Sequence, residues 1–493
     1  MSEFESKTAG SPQEMTHPSK KMLLRKFWVV FLAQACVSVS VAGMMLNMLG
    51  ISQVIWPGDG AYAFEKHSLE MGVIISTKLI MLAVMGVVYG RFADKYSRKN
   101  LLIFCLCLMA IARLLNGFVP TNHSATFILF VVYYGLLGIG QGGINPLIAS
   151  YSDDACGLKN RSSFFGLVEV FRQASLVGGM IFSALLIQSG LWQLYFWLTS
   201  IFLLVAVLVV IFYLKEPKRG VMHDELKTVL ARDGVKYKYQ LNKQTIKSTI
   251  FSPTNKLAFF EGVFTWILFS IAIYLIYPYI QGPPYYVSPV ASSVLMIIFG
   301  IPGAIFGSLA FSRLSDRLAN INVKSRINMI VFSMVSLFAI VILLFIIPFP
   351  TSSGVGTTNM TRFLSEPVIY VFGLLLFLLR AMLSIYHMNQ TPILQAINLP
   401  EAQGTINSWN QFLESFGFGL GPLISGYLLT VNNQNYVITA LISMSIGIPS
   451  ILMWLVANKY IHKDIERIKT ILKERAREIG SSNKVEGTKK GKT

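Results

Sequence analysis

Twelve runs of about 20 predominantly apolar residues follow one another along the chain, and no other feature narrows its folding options as much. A helix of that length spans the roughly 30 Å hydrocarbon core of a bilayer and satisfies its own backbone N–H and C=O groups while doing so. The runs lie at about 27–49, 70–91, 100–119, 126–150, 163–188 and 191–214, then at 256–280, 288–312, 327–349, 367–394, 405–430 and 436–457. Charge is scarce, at 13% of the 493 residues against about 25% in soluble domains. A chain this apolar cannot clothe a water-soluble surface, which argues against a soluble enzyme, a disulfide-rich secreted domain or a disordered hub. The 34 Phe and 20 Met fit lipid-facing helices better than the alternation of an outer-membrane barrel. The expected class is an all-α membrane protein with twelve transmembrane helices.

The net charge of +18 would suggest nucleic acid if it were gathered in one patch. It is instead spread over alternate connections: 36 of the 42 Lys and Arg residues fall on one side of the predicted topology, and only Lys66 and Arg362 on the other. The positive-inside rule then places both termini in the cytoplasm and removes the case for a nucleic-acid partner. The polar segment 1–26 lacks the pattern of a cleaved signal peptide. Cys36, Cys105 and Cys107 lie in apolar runs and Cys156 in a polar connection, so no disulfide framework is expected. Residues 215–255 form a long charged connection that divides the spans into six-helix units at 27–214 and 256–457, with a basic tail at 458–493. Within that tail Ile461, Ile465, Ile468 and Leu472 recur at helical spacing, which fits an amphipathic helix on the inner membrane surface or a solvated extension.

The two halves repeat. After the second span the chain reads Gly90, Arg91, Phe92, Ala93, Asp94, Lys95, Tyr96, Ser97, Arg98, Lys99; after the eighth it reads Ser312, Arg313, Leu314, Ser315, Asp316, Arg317. Each copy puts an Asp and a following cation where the helix leaves the bilayer, able to latch neighbouring helices that later separate. Asn145-Pro146-Leu147 recurs as Thr391-Pro392-Ile393, and Gly179 and Ser183 recur as Gly421 and Ser425. The chain resembles the major facilitator superfamily. Gly90 to Lys99 matches that family's signature of Gly, three residues, Asp, a cation, any residue, Gly and two cations, with Ser97 at the second Gly; Lys215-Glu216-Pro217 after the sixth span also fits. The resemblance covers about 27–457 and implies two pseudo-symmetric six-helix bundles and transport by alternating access. It also departs from the family. Tyr134 stands where many proton-coupled members carry a fourth-helix Arg, and the internal repeat aligns Tyr134 with Arg380 of the tenth span. The Gly, three residues, Gly-Pro pattern of antiporters appears in the eleventh span, as Gly417, Gly421 and Pro422, rather than in the fifth. A weaker similarity links the chain to Spinster-type lysolipid carriers, although no acidic residue occupies Ser38 to Asn47 as expected there.

A charged side chain at mid-membrane costs roughly 2.5–3.5 kcal/mol on insertion scales, so each one calls for a partner, water or a function. Lys78, Glu169, Arg172, Arg380 and Glu414 lie near mid-span and His387 nearer the cytoplasmic end, all on helices that line the family's central cavity. Arg113 and Glu261 lie nearer span ends, where snorkelling is the simplest expectation. Glu169 and Arg172, three residues apart, are set to pair. Lys78, Arg172 and Arg380, with Tyr134 and Asn145, are the candidate substrate contacts. Glu169, Glu414 and His387 are candidates for charge balance or proton carriage. A structural salt-bridge network is the competing reading. Gly90, Asp94, Lys95, Arg98, Lys99, Asp316 and Arg317 form the candidate cytoplasmic gate. Tyr277 and Pro278 mark a candidate outer gate, since Pro278 removes a helical N–H; the surrounding tyrosines would otherwise form an interfacial belt. Asn359-Met360-Thr361 is a glycosylation sequon on the outer side.

No phosphate loop of the form Gly, four residues, Gly-Lys-Ser/Thr and no metal-spaced His or Cys cluster occurs, so neither an ATP-driven pump nor a cofactor-bearing enzyme is expected. The expected function is monomeric secondary transport of a small anionic or zwitterionic solute, amphipathic or lipid-like solutes included, with protons as a candidate coupling ion. A multidrug–proton antiporter is the alternative within that class, and a non-transporting membrane receptor or scaffold the alternative outside it.

Overall fold

The computed structural model describes residues 20–43, 45–93, 96–155, 158–216, 252–348, 360–399 and 402–490. Asp94, Lys95, Cys156, the sequon at Asn359 and most of the 215–255 connection lie outside the described residues, as does the polar N-terminal stretch 1–19. Among the described residues twelve helices are long and apolar enough to cross a membrane. They are α1 (Lys20–Ala42), α2 (Ser68–Ala93), α3 (Arg98–Gly117), α4 (Thr126–Gly142, continuing as Ile144–Ala155), α5 (Leu158–Gln188), α6 (Trp192–Tyr213), α7 (Pro253–Gln281), α8 (Pro289–Leu295, Met296–Gly300 and Ile301–Ile321), α9 (Lys324–Ile346), α10 (Pro367–Ala396), α11 (Gln403–Val431) and α12 (Tyr436–Lys490).

Local chemistry explains where several of these begin. Ser97 caps α3 by accepting from Asn100 N at 3.3 Å. Ser252 and Ser288 do the same for α7 and α8, each followed by a Pro whose missing N–H costs nothing in a first turn. Inside α8 the turn widens to a π-helix at Met296–Gly300, which absorbs Pro302 just beyond it without breaking the span. The first span, expected at about 27–49, ends as a helix at Ala42, and the connection from α1 to α2 is itself folded into a helix at Met48–Ile55, a 3₁₀ turn at Pro57–Tyr62 and a short helix at Ala63–Lys66.

Within the first six spans α1 packs on α5 and α6, α3 on α4 and α6, and α2 on α4; within the last six α7 packs on α11 and α12, α9 on α10 and α12, and α8 on α10. The repeated small residues sit at corresponding crossings. A side chain at Gly179 would strike the Cα of Val39 on α1 at 2.8 Å, and one at Gly421 would strike Ser270 on α7. Both glycines let their helices approach to backbone distance.

Three sequence expectations are corrected. Arg113 and Glu261 do not snorkel: both are 0% exposed, because their helices turn them into the bundle cores rather than along the lipid face. The apolar stripe Ile461, Ile465 and Ile468 is buried against protein, since α12 runs on unbroken past the span and Asp464 accepts from Thr254 N at 3.2 Å at the start of α7. Tyr274, Tyr277 and Tyr279 are not an interfacial belt; all three are buried, and Tyr279 donates to the carbonyls of α9's last turn at 3.2 Å.

Candidate functional site

The two sets of six helices are joined along one edge. All hydrogen bonds between them, among the described residues, lie in the membrane half opposite the termini. Ser68, the first residue of α2, is their hub. Its hydroxyl donates to the Gly426 carbonyl at 3.2 Å and lies 3.2 Å from the Thr430 hydroxyl. It also accepts from Gln434 Nε2 at 3.3 Å, while its carbonyl accepts from the Tyr274 hydroxyl at 2.9 Å. Further along, Leu423 N donates to Ser76 Oγ at 2.9 Å, and Gln281 Nε2 donates to the Leu46 carbonyl at 2.9 Å. Small residues make this seam tight: a side chain at Gly72 would strike the Pro422 carbonyl, and one at Gly426 the Ser68 carbonyl. Tyr277 closes the same end, packed with Leu46, Met180, Ala184 and Met296 in an apolar plug. Pro278 does not break α7, which continues to Gln281 and ends as Gly282 N donates to the Pro278 carbonyl at 2.8 Å.

Toward the termini the two sets part. Spans α5 and α8 are the least enclosed, 22% and 28% buried against 67% for α7, and they meet through the far segment Pro289–Leu295. Glu169 therefore stands exposed and Arg172 half-buried on α5 in the middle of an apolar helix. Arg172 Nε donates to Glu169 Oε2 at 2.7 Å and its Nη2 to Oε1 at 2.6 Å, a two-pronged pair, and Gln173 adds a third donor at 2.8 Å. On α10, Arg380 is half-buried with its buried Nε unpaired, within electrostatic range of Tyr277, Arg172 and His387. His387 is exposed and lies against Trp266, ring centroids 5.1 Å apart. Glu414 on α11 accepts from Asn410 Nδ2 at 2.7 Å and has Gln390 and Trp266 beside it. Trp266 is flanked by Phe269 at 5.7 Å and Phe418 at 5.6 Å, so the carboxylate is set in an aromatic wall. Arg380 thus lies within electrostatic range of both Arg172 and His387, Glu169 pairs with Arg172, and Trp266 joins His387 to Glu414, so the five side chains form one polar neighbourhood.

Lys78 and Tyr134 stand apart from it. Lys78 is 4% exposed, its backbone packed against Gly138, and no hydrogen bond holds its Nζ among the described residues. Tyr134 is 1% exposed in the core of the first half. The cation missing from the fourth helix comes instead from α3. The Arg113 guanidinium lies 5.8 Å from the Tyr134 ring, 5.7 Å from Tyr195 and 5.5 Å from Phe196, and donates to the Ser40 carbonyl. Asn145 is exposed at the start of the second segment of α4. Glu261, expected from the sequence to snorkel rather than to join a site, is the acidic counterpart in the second half. It is wholly buried, accepting from Thr265 and from Tyr386 Oη at 3.2 Å. The signal for both was their rarity inside apolar spans; what hid them was their position near span ends.

At the termini-bearing end, Gly90 has open space around it, and Ser97, Arg98 and Lys99 converge on Glu216. Arg98 N donates to Glu216 Oε1 at 2.8 Å and Lys99 N to Oε2 at 3.4 Å, an anion seated on the N-terminus of α3. Arg98 Nε reaches Ser150 on α4 at 2.7 Å and Lys99 Nζ the Ile211 carbonyl on α6 at 2.7 Å. In the second copy Ser315 donates to Asn389 on α10, and Arg326 donates to Ser315 at 3.3 Å. Arg317 is exposed there, and the Asp316 side chain lies outside the described residues.

Comparison with known proteins agrees with this architecture. Residues 27–393 match the family model described as Major Facilitator Superfamily. The chain spans 22–33% of the length of the first curated relatives it matches. It is 22% identical over 425 residues to "Multidrug resistance protein 2" of Bacillus subtilis (strain 168), covering 84% of this chain and 94% of the other. It is 23% identical over 283 residues to "Probable sphingolipid transporter spinster homolog 1" of Arabidopsis thaliana, covering 52% and 55%. Among solved structures, a bacterial homolog to the human lysosomal transporter Spinster, in an inward-facing and unoccupied conformation, superposes with a TM-score of 0.64 at 14% identity, covering 91% of this chain and 99% of that one. With twelve spans, a repeated motif at the same end of both halves and a family match across most of its length, the chain is a multi-pass membrane protein that belongs to the Major Facilitator Superfamily.

Proposed function

We propose that the protein is a secondary transporter that carries a small anionic or zwitterionic solute with an apolar portion. The observation that carries this reading is the polar neighbourhood of Arg172, Arg380, Glu169, His387 and Glu414 on spans that are otherwise apolar, which we read as the lining of a water-accessible cleft closed on one side by the Ser68 seam. A structural salt-bridge network would pair these groups with one another. Glu169 and Arg172 do pair, whereas Arg380 and Glu414 have no ion-pair partner among the described residues. Arg380 offers its guanidinium to an anionic group, and Trp266 and Phe418 flank Glu414 where a cationic or apolar portion would rest. Rocking of the halves 27–214 and 256–457 about this site gives alternating access, and Glu414 is the candidate carrier of a coupled proton. Lys78 and Tyr134 serve as core of the first half, and Asn145 remains a candidate contact. With both termini in the cytoplasm, as the spread of Lys and Arg requires, the cleft faces the cytoplasm, as in the inward-facing Spinster homolog.

The aromatic wall beside Glu414 favours a second substrate class, a lipophilic cation exchanged for protons, and one experiment separates the two. In proteoliposomes, Arg380→Ala is expected to lower uptake of a lysophospholipid or organic anion by at least tenfold with the protein still folded. Tetraphenylphosphonium transport sensitive to Glu414→Gln but not to Arg380→Ala would favour the cation reading. Normal uptake in both variants would remove the cleft charges from the mechanism.

A further inference from the structure

Outside the cleft, a cavity of about 300 Å³ opens between α8, α9 and α10 at the termini-bearing end, lined by Phe311, Leu314, Leu318, Met329, Phe332 and Ile385, with Ser325 and Asn328 at its polar edge. Its size is at the small end of ligand pockets, roughly 300–1,000 Å³. The apolar span of α8 ends at Phe311 and α9 begins at Lys324, so the cavity sits where the bilayer core gives way to headgroups. Leu314 and Phe332 also face outward, 44% and 58% exposed, as a side entrance from lipid requires.

Cations adjoin the lining residues in sequence. Arg317, exposed, precedes the lining residue Leu318, and Lys324 precedes Ser325; neither has an ion-pair partner among the described residues. Lys459, also exposed, follows Asn458, whose amide donates to Asn328 at 3.4 Å. An apolar slot at interfacial depth, with Arg317 and Lys324 next in sequence to its lining residues and Lys459 next to a residue bonded to its polar edge, matches an acyl chain topped by a negatively charged headgroup. Each cation near an anionic membrane surface adds attraction worth about a fivefold gain in binding.

We infer that this cavity is a binding site for one acyl chain of an anionic phospholipid drawn from the leaflet on the side of the termini. Its position gives the lipid a purchase on the moving parts. The second copy of the repeated motif lies directly beside it: Ser315 bonds Asn389, four residues along α10 from Ile385, and Arg326 bonds Ser315. A chain wedged among Leu318, Met329 and Ile385 braces the α8–α9 turn against α10, and so stabilises the bundle on the side where the cleft is open. The inference does not depend on which solute the cleft carries.

The test uses the full-length protein in detergent, titrated with phosphatidylglycerol, phosphatidylcholine or inorganic phosphate, with thermal unfolding as readout. Phosphatidylglycerol is expected to raise the unfolding temperature saturably, with phosphatidylcholine weaker and phosphate without effect. Met329→Trp fills the slot and is expected to abolish the shift. Lys324→Gln, a surface change that leaves the slot empty, is expected to raise the concentration of phosphatidylglycerol needed by about fivefold. An equal shift from phosphate would overturn the acyl-chain assignment, as would an unchanged phosphatidylglycerol response in both variants. Solute uptake into vesicles of four parts phosphatidylcholine to one part phosphatidylglycerol is expected to differ from uptake in pure phosphatidylcholine in the native protein and not in Met329→Trp; loss of all uptake in the native protein would count against the proposed function and not against this site.

Discussion

At the scale of single residues, the fully buried charges of the spans divide by half. The first half buries Lys78 and Arg113 with no carboxylate partner among the described residues, and the second buries Glu261 and half-buries both Arg380 and Glu414. A buried ion is tolerated only where hydrogen bonds or polarisable rings replace its water. For Glu261 the replacement comes from the hydroxyls of Thr265 and Tyr386. Glu261→Gln keeps an acceptor for both hydroxyls and should shift stability little, whereas Glu261→Leu strands them and should cost about 1–3 kcal/mol, as read by thermal unfolding in detergent. On the surface, Asp59 is held by Lys66 and by His67 Nε2 at 3.2 Å, while the His67 ring stacks on Trp56 at 4.0 Å. The hydrogen bond from Lys66, then that from His67, holds the Asp59 carboxyl below the ordinary aspartate range. A depressed acid stabilises the fold above its unfolded value and loses that effect as pH falls through the folded one. Protection of the Trp56–Lys66 amides against hydrogen exchange should therefore hold at neutral pH and fall only in acid below the usual aspartate range, and Asp59→Asn should remove the acid step.

Helix pairs set the next level, and there the glycines do the deciding. The sequence pattern Gly417, Gly421, Pro422, Gly426 is compatible with tight packing anywhere, but the fold spends it on two neighbours at once. Gly417 and Gly421 face Val263, Ile267 and Ser270 of α7, whereas Pro422 and Gly426 face Gly72 and Ser68 of α2. One helix thereby joins its own half to the other. Gly72→Leu drives a side chain into the Pro422 backbone, an overpacking that typically costs 1–3 kcal/mol. In the proposed rocking mechanism the seam forms in the state with this side closed, so the cost falls on that state. The expected outcome is faster thiol labelling of a Ser76→Cys reporter from the outer side, with the helical content unchanged; an unaltered labelling rate would mean that the seam does not gate. The tail shows the converse: Ile461, Ile465 and Ile468 have the periodicity of a membrane-surface helix, yet a neighbouring N-terminus at Thr254 was available to bury them.

For the molecule as a whole, the proposed function makes this structure, with its far side joined through the Ser68 seam, one of the two end states that alternating access requires. Locking it should stop transport without unfolding the protein. In a Ser76→Cys, Leu423→Cys variant, oxidation is expected to abolish uptake and a reductant to restore it, since Leu423 N already sits 2.9 Å from Ser76 Oγ. Uptake that survives quantitative cross-linking would exclude rocking about this seam. The span count, the twofold repeat and the family were all readable in the chain, because hydrophobic length and local motif spacing are properties of contiguous residues. So was the Glu169–Arg172 pair, whose geometry one helical turn dictates. Which charges face water was not readable. Lys78 and Arg380 are equally cationic and equally deep in apolar spans, and only the rotation of α2 into its bundle and of α10 toward the cleft separates them. The placement of Arg113 under Tyr134, of Glu216 on α3 and of Ser68 at the seam likewise rests on contacts between residues far apart in sequence, which the packing of twelve helices chooses and no local pattern encodes.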